Sequence, residues 1–277
     1  MSIPDGGGGD VFIKFPGGIT EHARILYASD AALPSPTNGT GVAAATRLDT
    51  QNHYHSFTAA YLDISRGPET QMWMYSTLER YGSSEMEEKK EQRQRALHHT
   101  VSLLRAARRI REHHVATPSQ SSPLGPCILA GTLNEALRIA LRDESGVASS
   151  HVSLYDKWLL DVRGLPLVGN GKEEPLLEPG MRWGAVRRED IALVLSRSDV
   201  PRKDQGPDAS LSSLHCEESY RGRGYAKAVA TKLIKDHLKD YGGGDSTLCC
   251  AEVASNNLSS QGVCKSLGGK IGWAVSW

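Results

Sequence analysis

The sequence predicts an α/β (α+β) chain, with a mixed sheet and packed helices in the C-terminal half and a second α/β half before it. Three observations carry this. Strand-like and helix-like segments alternate from residue 181 onward. A long, charged helical pattern covers 84–114. A stretch rich in Gly, Glu and Pro over 168–180 reads as a domain boundary between the two halves. A length of 277 residues fits two domains at about 150 residues each, here 1–170 and 181–277.

The first half opens with short strand candidates at 11–15 and 24–27, followed by two strands at 57–64 and 70–76 around a Gly67-Pro68 turn. In the helix over 84–114, Ser84 and Glu87 form a capping box, and Leu97, Val101, Leu104 and Ile110 fall close to one stripe. A strand over 127–130 and a helix over 133–142 complete this half. The second half reads as strand 181–186, short helix 189–196, strand 210–216, a glycine-rich turn, helix 224–241, strand 247–253, helix 258–267 and strand 270–277. In the helix after the turn, Ala226, Val229, Ala230, Leu233, Ile234, His237 and Leu238 are spaced for one face. In the last strand, Ile271, Trp273, Val275 and Trp277 alternate onto one face.

Composition excludes several function classes. Hydrophobic residues at 39% and charged residues at 23% suit a globular chain. Lys plus Arg equals Asp plus Glu at 32 each, so a chain bound to nucleic acid through general phosphate electrostatics is not expected. No apolar run reaches the roughly 18 residues of a membrane span, and no secretory signal is expected at the start. Five cysteines without scaffold spacing, two of them adjacent at Cys249-Cys250, point to a reduced, cytoplasmic protein. The pairs His98-His99 and His113-His114 point about 100° apart on a helix, and His53 with His55 lacks further ligands, so no metal site is expected. Trp73, Trp158 and Trp183 read as core.

The informative stretch is Tyr220-Arg221-Gly222-Arg223-Gly224-Tyr225-Ala226, between a strand and a helix. A helix N-terminus leaves backbone N–H groups without partners and carries about half a positive charge. Gly222 and Gly224 let a ligand approach the backbone, and Arg221 and Arg223 add full charges. Together they suit a pyrophosphate. On spacing alone, a plain tight connection or a nucleic-acid phosphate site also stays open. A dinucleotide fingerprint fits poorly, because the Gly-x-Gly-x-x-Gly spacing is absent.

Arg221-x-x-Gly224-x-Ala226 resembles the Arg/Gln-x-x-Gly-x-Gly/Ala signature of the GNAT N-acyltransferase superfamily. The words around it extend the likeness. Leu211-Ser-Ser-Leu214-His215-Cys216 resembles that family's fourth strand and 247–253 its fifth, while Asn257-Leu-Ser-Ser260 and Lys265-Ser-Leu267-Gly268-Gly269 resemble its last helix. The likeness covers about 181–277 and is closest to the glycine N-acyltransferase-like branch seen in fungal proteins.

The resemblance implies a V-shaped split between the fourth and fifth strands that holds the pantetheine of acetyl-CoA. The backbone at Leu214, His215 and Cys216 would bind its amides. The loop Arg221, Gly222, Arg223, Gly224, Tyr225, Ala226 would hold the pyrophosphate, and Asn257 and Ser260 would line the opposite wall. It also implies transfer of an acetyl or other short acyl group to the primary amine of a small molecule. The alternative is a degenerate fold that binds CoA or a partner without turnover.

Amine acylation needs a base, because an alkyl ammonium has a pKa near ~10. Glu217 is the first candidate and His215 the second. The family's acid position, usually Tyr, falls on Cys264, and the Glu of its Pro-Glu-Tyr-Arg word is replaced here by Ser219. The stretch 199–208 is too short for the family's central hairpin, and the chain ends in the strand that would open the closing hairpin. Either the first half supplies strands to the second, or the sheet has exposed edges. Neither the acceptor nor the oligomeric state is set by these residues.

Overall fold

The structure, a computed structural model, describes residues 20–30, 56–66, 70–80, 87–115, 127–165, 177–184, 187–197, 210–211, 214–241 and 247–277. The expected strand at 11–15, the Gly67-Pro68 turn, the Ser84 cap, His53, His55 and the stretch 199–208 lie outside them.

The first sheet holds β1 (Ala23–Ser29), β2 (Phe57–Asp63), β3 (Met72–Ser76) and β4 (Ala130–Gly131) in that order. β1 to β3 are antiparallel and β4 joins in parallel. Helix α1 (Glu87–Val115) covers this sheet, with Leu103 and Ala107 packed on Leu62, Ile64 and Met72. Fully burying each such aliphatic side chain is worth about 1.5–3 kcal/mol. Three buried hydroxyls fix the helix against the sheet: Thr58 Oγ1 bonds Ser76 Oγ at 2.9 Å, and Thr100 Oγ1 lies 2.9 and 3.0 Å from the two. All three are fully enclosed, so each finds its partners among the others rather than in water.

The second sheet has the order β5 (Leu133–Asn134), β8 (Lys270–Ser276), β6 (Leu154–Asp161) and β7 (Leu248–Ala254). The expected strand at 127–130 is reduced to two residues. Thr132, at φ +49°, breaks the run so that β4 pairs with the first sheet and β5 with the second. Asn134 then caps α2 (Glu135–Ser145) by accepting from Ala136 N–H at 2.9 Å, and Gly146 at φ +69° ends it.

The strand that sequence reading missed, β6, resolves the question of the absent hairpins. It belongs to the first half, yet it lies between β7 and β8, antiparallel to both. The first half therefore supplies β5 and β6 to a sheet shared with β7 and β8, which follow the stretch 168–180. Pairing across this junction satisfies both edges of β6 at once.

Helices α4 (Tyr225–Tyr241) and α5 (Leu258–Ser266) pack on one face of this sheet. Ala230 and Ile234 meet Leu160, Cys249 and Leu267, while Cys264 meets Trp158, Ala251 and Val253. The buried stripe of α4 is Ala228, Ala230, Thr231 and Ile234, rotated from the expected one, and Leu233 is 45% exposed. The last strand also departs from plain alternation. A bulge at Gly272 pairs Ile271 with Trp158 but Trp273 with Lys157, which places Ile271 and Trp273 on opposite faces.

On the face away from α4 and α5, Lys157 Nζ lies 3.1 Å from Glu252 Oε1, and the Trp277 indole N–H donates to Glu252 Oε2 at 2.5 Å. Both charged side chains are only 10% exposed. Removing one partner of such a pair strands a buried charge. Lys157→Ala should therefore cost about 3–5 kcal/mol in urea unfolding, while Lys157→Met with Glu252→Leu should cost less than either single change. A double variant as unstable as the sum of both singles would contradict this.

Candidate functional site

The site begins beside a parallel contact. Ser210 bridges Cys250, and Leu211 N–H donates to Cys250 O at 2.7 Å. Of the expected strand 210–216, residues 212–213 lie outside the described residues, and Leu214, His215 and Cys216 belong to no strand or bridge. The Leu214 side chain packs against the core beside Leu160 and Ile234, which holds this segment in place.

At the end of this segment the chain makes a 3-10 turn over Glu218–Tyr220. Tyr220 N–H donates to Glu217 O and Arg221 N–H to Glu218 O. Arg221 Nε folds back onto Cys216 O at 3.0 Å, closing the turn. Gly222 and Gly224 then adopt φ +75° and +81°, the left-handed region open to glycine. A Cβ built at either would meet nothing within 4 Å, so the space over the turn is open to a ligand. The first intrahelical bond of α4 runs from Ala228 N–H to Gly224 O at 2.9 Å. The N–H groups of Tyr225, Ala226 and Lys227 thus precede the ladder, as an anion site at a helix start requires. Arg221 is the departure: its amide is spent in the 3-10 turn and is not part of the cradle.

The two arginines are also engaged. Arg223 Nη1 contacts both oxygens of Glu178 at 2.9 and 3.1 Å, and its guanidinium carbon lies 5.8 Å from the centre of the Tyr220 ring. The glutamate keeps the Arg223 guanidinium proton held above its ordinary range. Tyr220 and Tyr225 meet edge to face at 6.3 Å. The expected strand at 181–186 is not formed over 181–184, and 185–186 lie outside the described residues. Instead, 178–181 make a tight turn beside the glycine loop.

The base candidates sit together just before the glycine loop. His215 Nε2 is 3.8 Å from Glu217 Oε1, on one side as strand alternation predicts. The same oxygen accepts from Arg197 Nε at 3.0 Å, which ties helix α3 (Asp190–Ser196) and its following residue to the segment. Glu217 therefore has one oxygen committed to a guanidinium, and His215 is the less encumbered of the two. Both are substantially exposed.

Cys264 is corrected from acid candidate to core residue. It is 3% exposed among Trp158, Ala251 and Val253, and burial pushes its thiol up to about 11. Asn257 and Ser260 hold the helix start: Asn257 Oδ1 accepts from Ser260 N–H at 3.0 Å, a cap on α5. This bond takes one acceptor position of the Asn257 carboxamide. Among the described residues no three His, Cys, Asp or Glu side chains gather to hold a metal, and no helix is long and apolar enough to cross a membrane. Sequence reading missed Glu178, Arg197, and the Lys157–Glu252–Trp277 cluster. The signal for the last was a single charged residue, Glu252, inside the otherwise apolar run 248–254.

The thiols make this burial testable. Of the five, Cys127 is exposed and Cys216 partly so, whereas Cys249, Cys250 and Cys264 are buried. Ellman's reagent at pH 7.5 should titrate the first two quickly and the other three only on unfolding. The Cys264 shift has a stability consequence of definite sign. The unfolded thiol ionises near 9.0 and the folded one near about 11, so this group lowers stability as pH rises through that interval and leaves it unchanged below. A Cys264→Ala variant should lose that part of the alkaline decline.

Comparison with known proteins came out as follows. Residues 14–158, more than half of the chain, match the family of the acyl-CoA N-acyltransferase verG N-terminal domain. Residues 183–268 match the acetyltransferase (GNAT) family. No curated protein matches the chain. Among solved structures, a Drosophila protein determined by X-ray crystallography as a structural-genomics target is 12% identical, with 80% of this chain and 73% of that chain covered at a TM-score of 0.47. With both halves matched in chain order and the glycine loop placed at the start of α4, the chain belongs to the GNAT superfamily of acyl-CoA N-acyltransferases.

Proposed function

We propose that this protein transfers an acetyl or other short acyl group from acyl-CoA to the primary amine of a small molecule, directly and within one ternary complex. The observation that carries the proposal is the turn at Gly222 and Gly224, whose positive φ angles and open surface lead into three helix-start N–H groups. Such a turn suits a diphosphate, and the unladdered backbone of 214–216 just before it is free to meet the pantetheine arm. Backbone groups of 214–216 would orient that arm and donate to the developing oxyanion.

The acyl carbon would leave sulfur for nitrogen, so the C–S bond breaks as the C–N bond forms. His215, beside Glu217, would take the amine proton directly or through water. The thiolate would recover its proton from water, because Cys264 is enclosed in the core. Five free thiols suit a reducing, cytoplasmic setting.

A second reading, coenzyme binding without turnover, is favoured by specific features. Asn257 is spent as a cap, Glu217 is paired with Arg197, and Cys264 stands where the family's usual acid would be. A thiol-release assay with acetyl-CoA and an amine panel separates the two. Release dependent on amine supports the enzyme, and coenzyme binding without release supports the binder. Gly224→Val should weaken acetyl-CoA binding by more than about tenfold, since a β-branched residue at φ +81° carries a strain of about 1–3 kcal/mol and crowds the cradle. Unchanged affinity in calorimetry would count against this site.

A further inference from the structure

The carboxylate of Glu178 lies where the site needs an anion. It accepts from Arg223 Nη1 through both oxygens, at 2.9 and 3.1 Å. Arg223 is in the glycine loop, two residues before α4 begins, so this side chain contacts the cradle directly.

The carboxylate is also presented by a stiff support. Met181 N–H donates to Glu178 O at 2.9 Å, and Gly180 takes φ +89° after Pro179, the pattern of a type II turn with Pro and Gly at its two centres. Three residues after Gly180, the indole of Trp183 is anchored against α4, with Lys232 Nζ 5.8 Å from its ring centre. Turn and anchor fix Glu178 against the loop at little entropic cost.

We propose that Glu178 is an internal competitor for the coenzyme diphosphate, a latch that occupies Arg223 until a more highly charged anion displaces it. The proposal rests on the coenzyme site described above and adds its regulation. The physical basis is exchange. Arg223 Nη1 is held between both oxygens of the Glu178 carboxylate, so a phosphate that takes this nitrogen releases the glutamate. A singly charged anion gains little from that exchange, whereas a diphosphate also collects the helix-start amides. Glu178 thereby lowers the affinity for coenzyme and sharpens selection for the diphosphate.

Calorimetry on the full chain tests this, with CoA and pantetheine as probes. Glu178→Ala and Glu178→Gln should each bind CoA about two- to fivefold more tightly than the parent, the range of a half-exposed ion pair. Pantetheine, which lacks the diphosphate, should bind all three proteins alike. In an Arg223→Ala background Glu178→Ala should change nothing. Equal or weaker CoA binding by both Glu178 variants overturns the latch while leaving the site in place, as does equal tightening toward pantetheine. Failure of every variant and the parent to bind CoA overturns the site and the latch together. Glu178 is half exposed, so its loss does not threaten folding, and the Gln variant keeps a polar partner for Arg223.

Discussion

Strand β6 bears on everything else in the second sheet. Every residue from Tyr155 to Asp161 is in register with β7, and its other edge pairs with β8. A strand bonded on both sides cannot slide without breaking two ladders, and a slip of one residue would exchange its faces. Trp158 and Leu160 would leave the core under α4 and α5, and Lys157 would leave Glu252. Because β6 occupies one edge of β7, only the opposite edge is left for the segment at 210–211. That segment takes it through the Ser210–Cys250 bridge.

Charge near the glycine loop follows a simple pattern. Arg221 is turned onto Cys216 O, Arg223 onto Glu178, and Arg197 onto Glu217. A long flexible cation takes the nearest acceptor, whereas a backbone amide at a helix start is held by the helix and cannot turn away. The attraction of this loop for an anion therefore lies first in its fixed amides, with the arginines as exchangeable additions. This ordering differs from the sequence reading, where the guanidinium groups counted as fully available.

The buried residues divide between packing and polarity in the same way. Cys264 and Cys249 serve as small apolar groups on the helix-facing side of the sheet, and Lys157 with Glu252 forms the polar seam on the other side. Alternation along β7 produces both from one short segment: Cys249, Ala251 and Val253 face the helices, and Glu252 faces away. The seam joins a residue of the first half to one of the last strands, which makes the two halves interdependent.

How much was legible in the sequence follows from the range of the forces involved. Local rules sufficed for the glycine turn, for α4 and α5, for the antiparallel strands at 57–63 and 72–76, and for the position of His215 beside Glu217. Each depends on neighbours within a few residues: positive φ at glycine, helical spacing, strand alternation. Other features depend on partners far along the chain. The placement of β6 between β7 and β8, the rotation of the α4 stripe, the bulge at Gly272, the burial of Cys264 and the grip of Glu178 on Arg223 all arise from contacts that no local window contains. The sequence alone determined that a helix would begin after an anion-friendly turn. Tertiary structure alone decided which amides and charges there are already spoken for, because hydrogen bonds and burial are settled by what folding brings alongside.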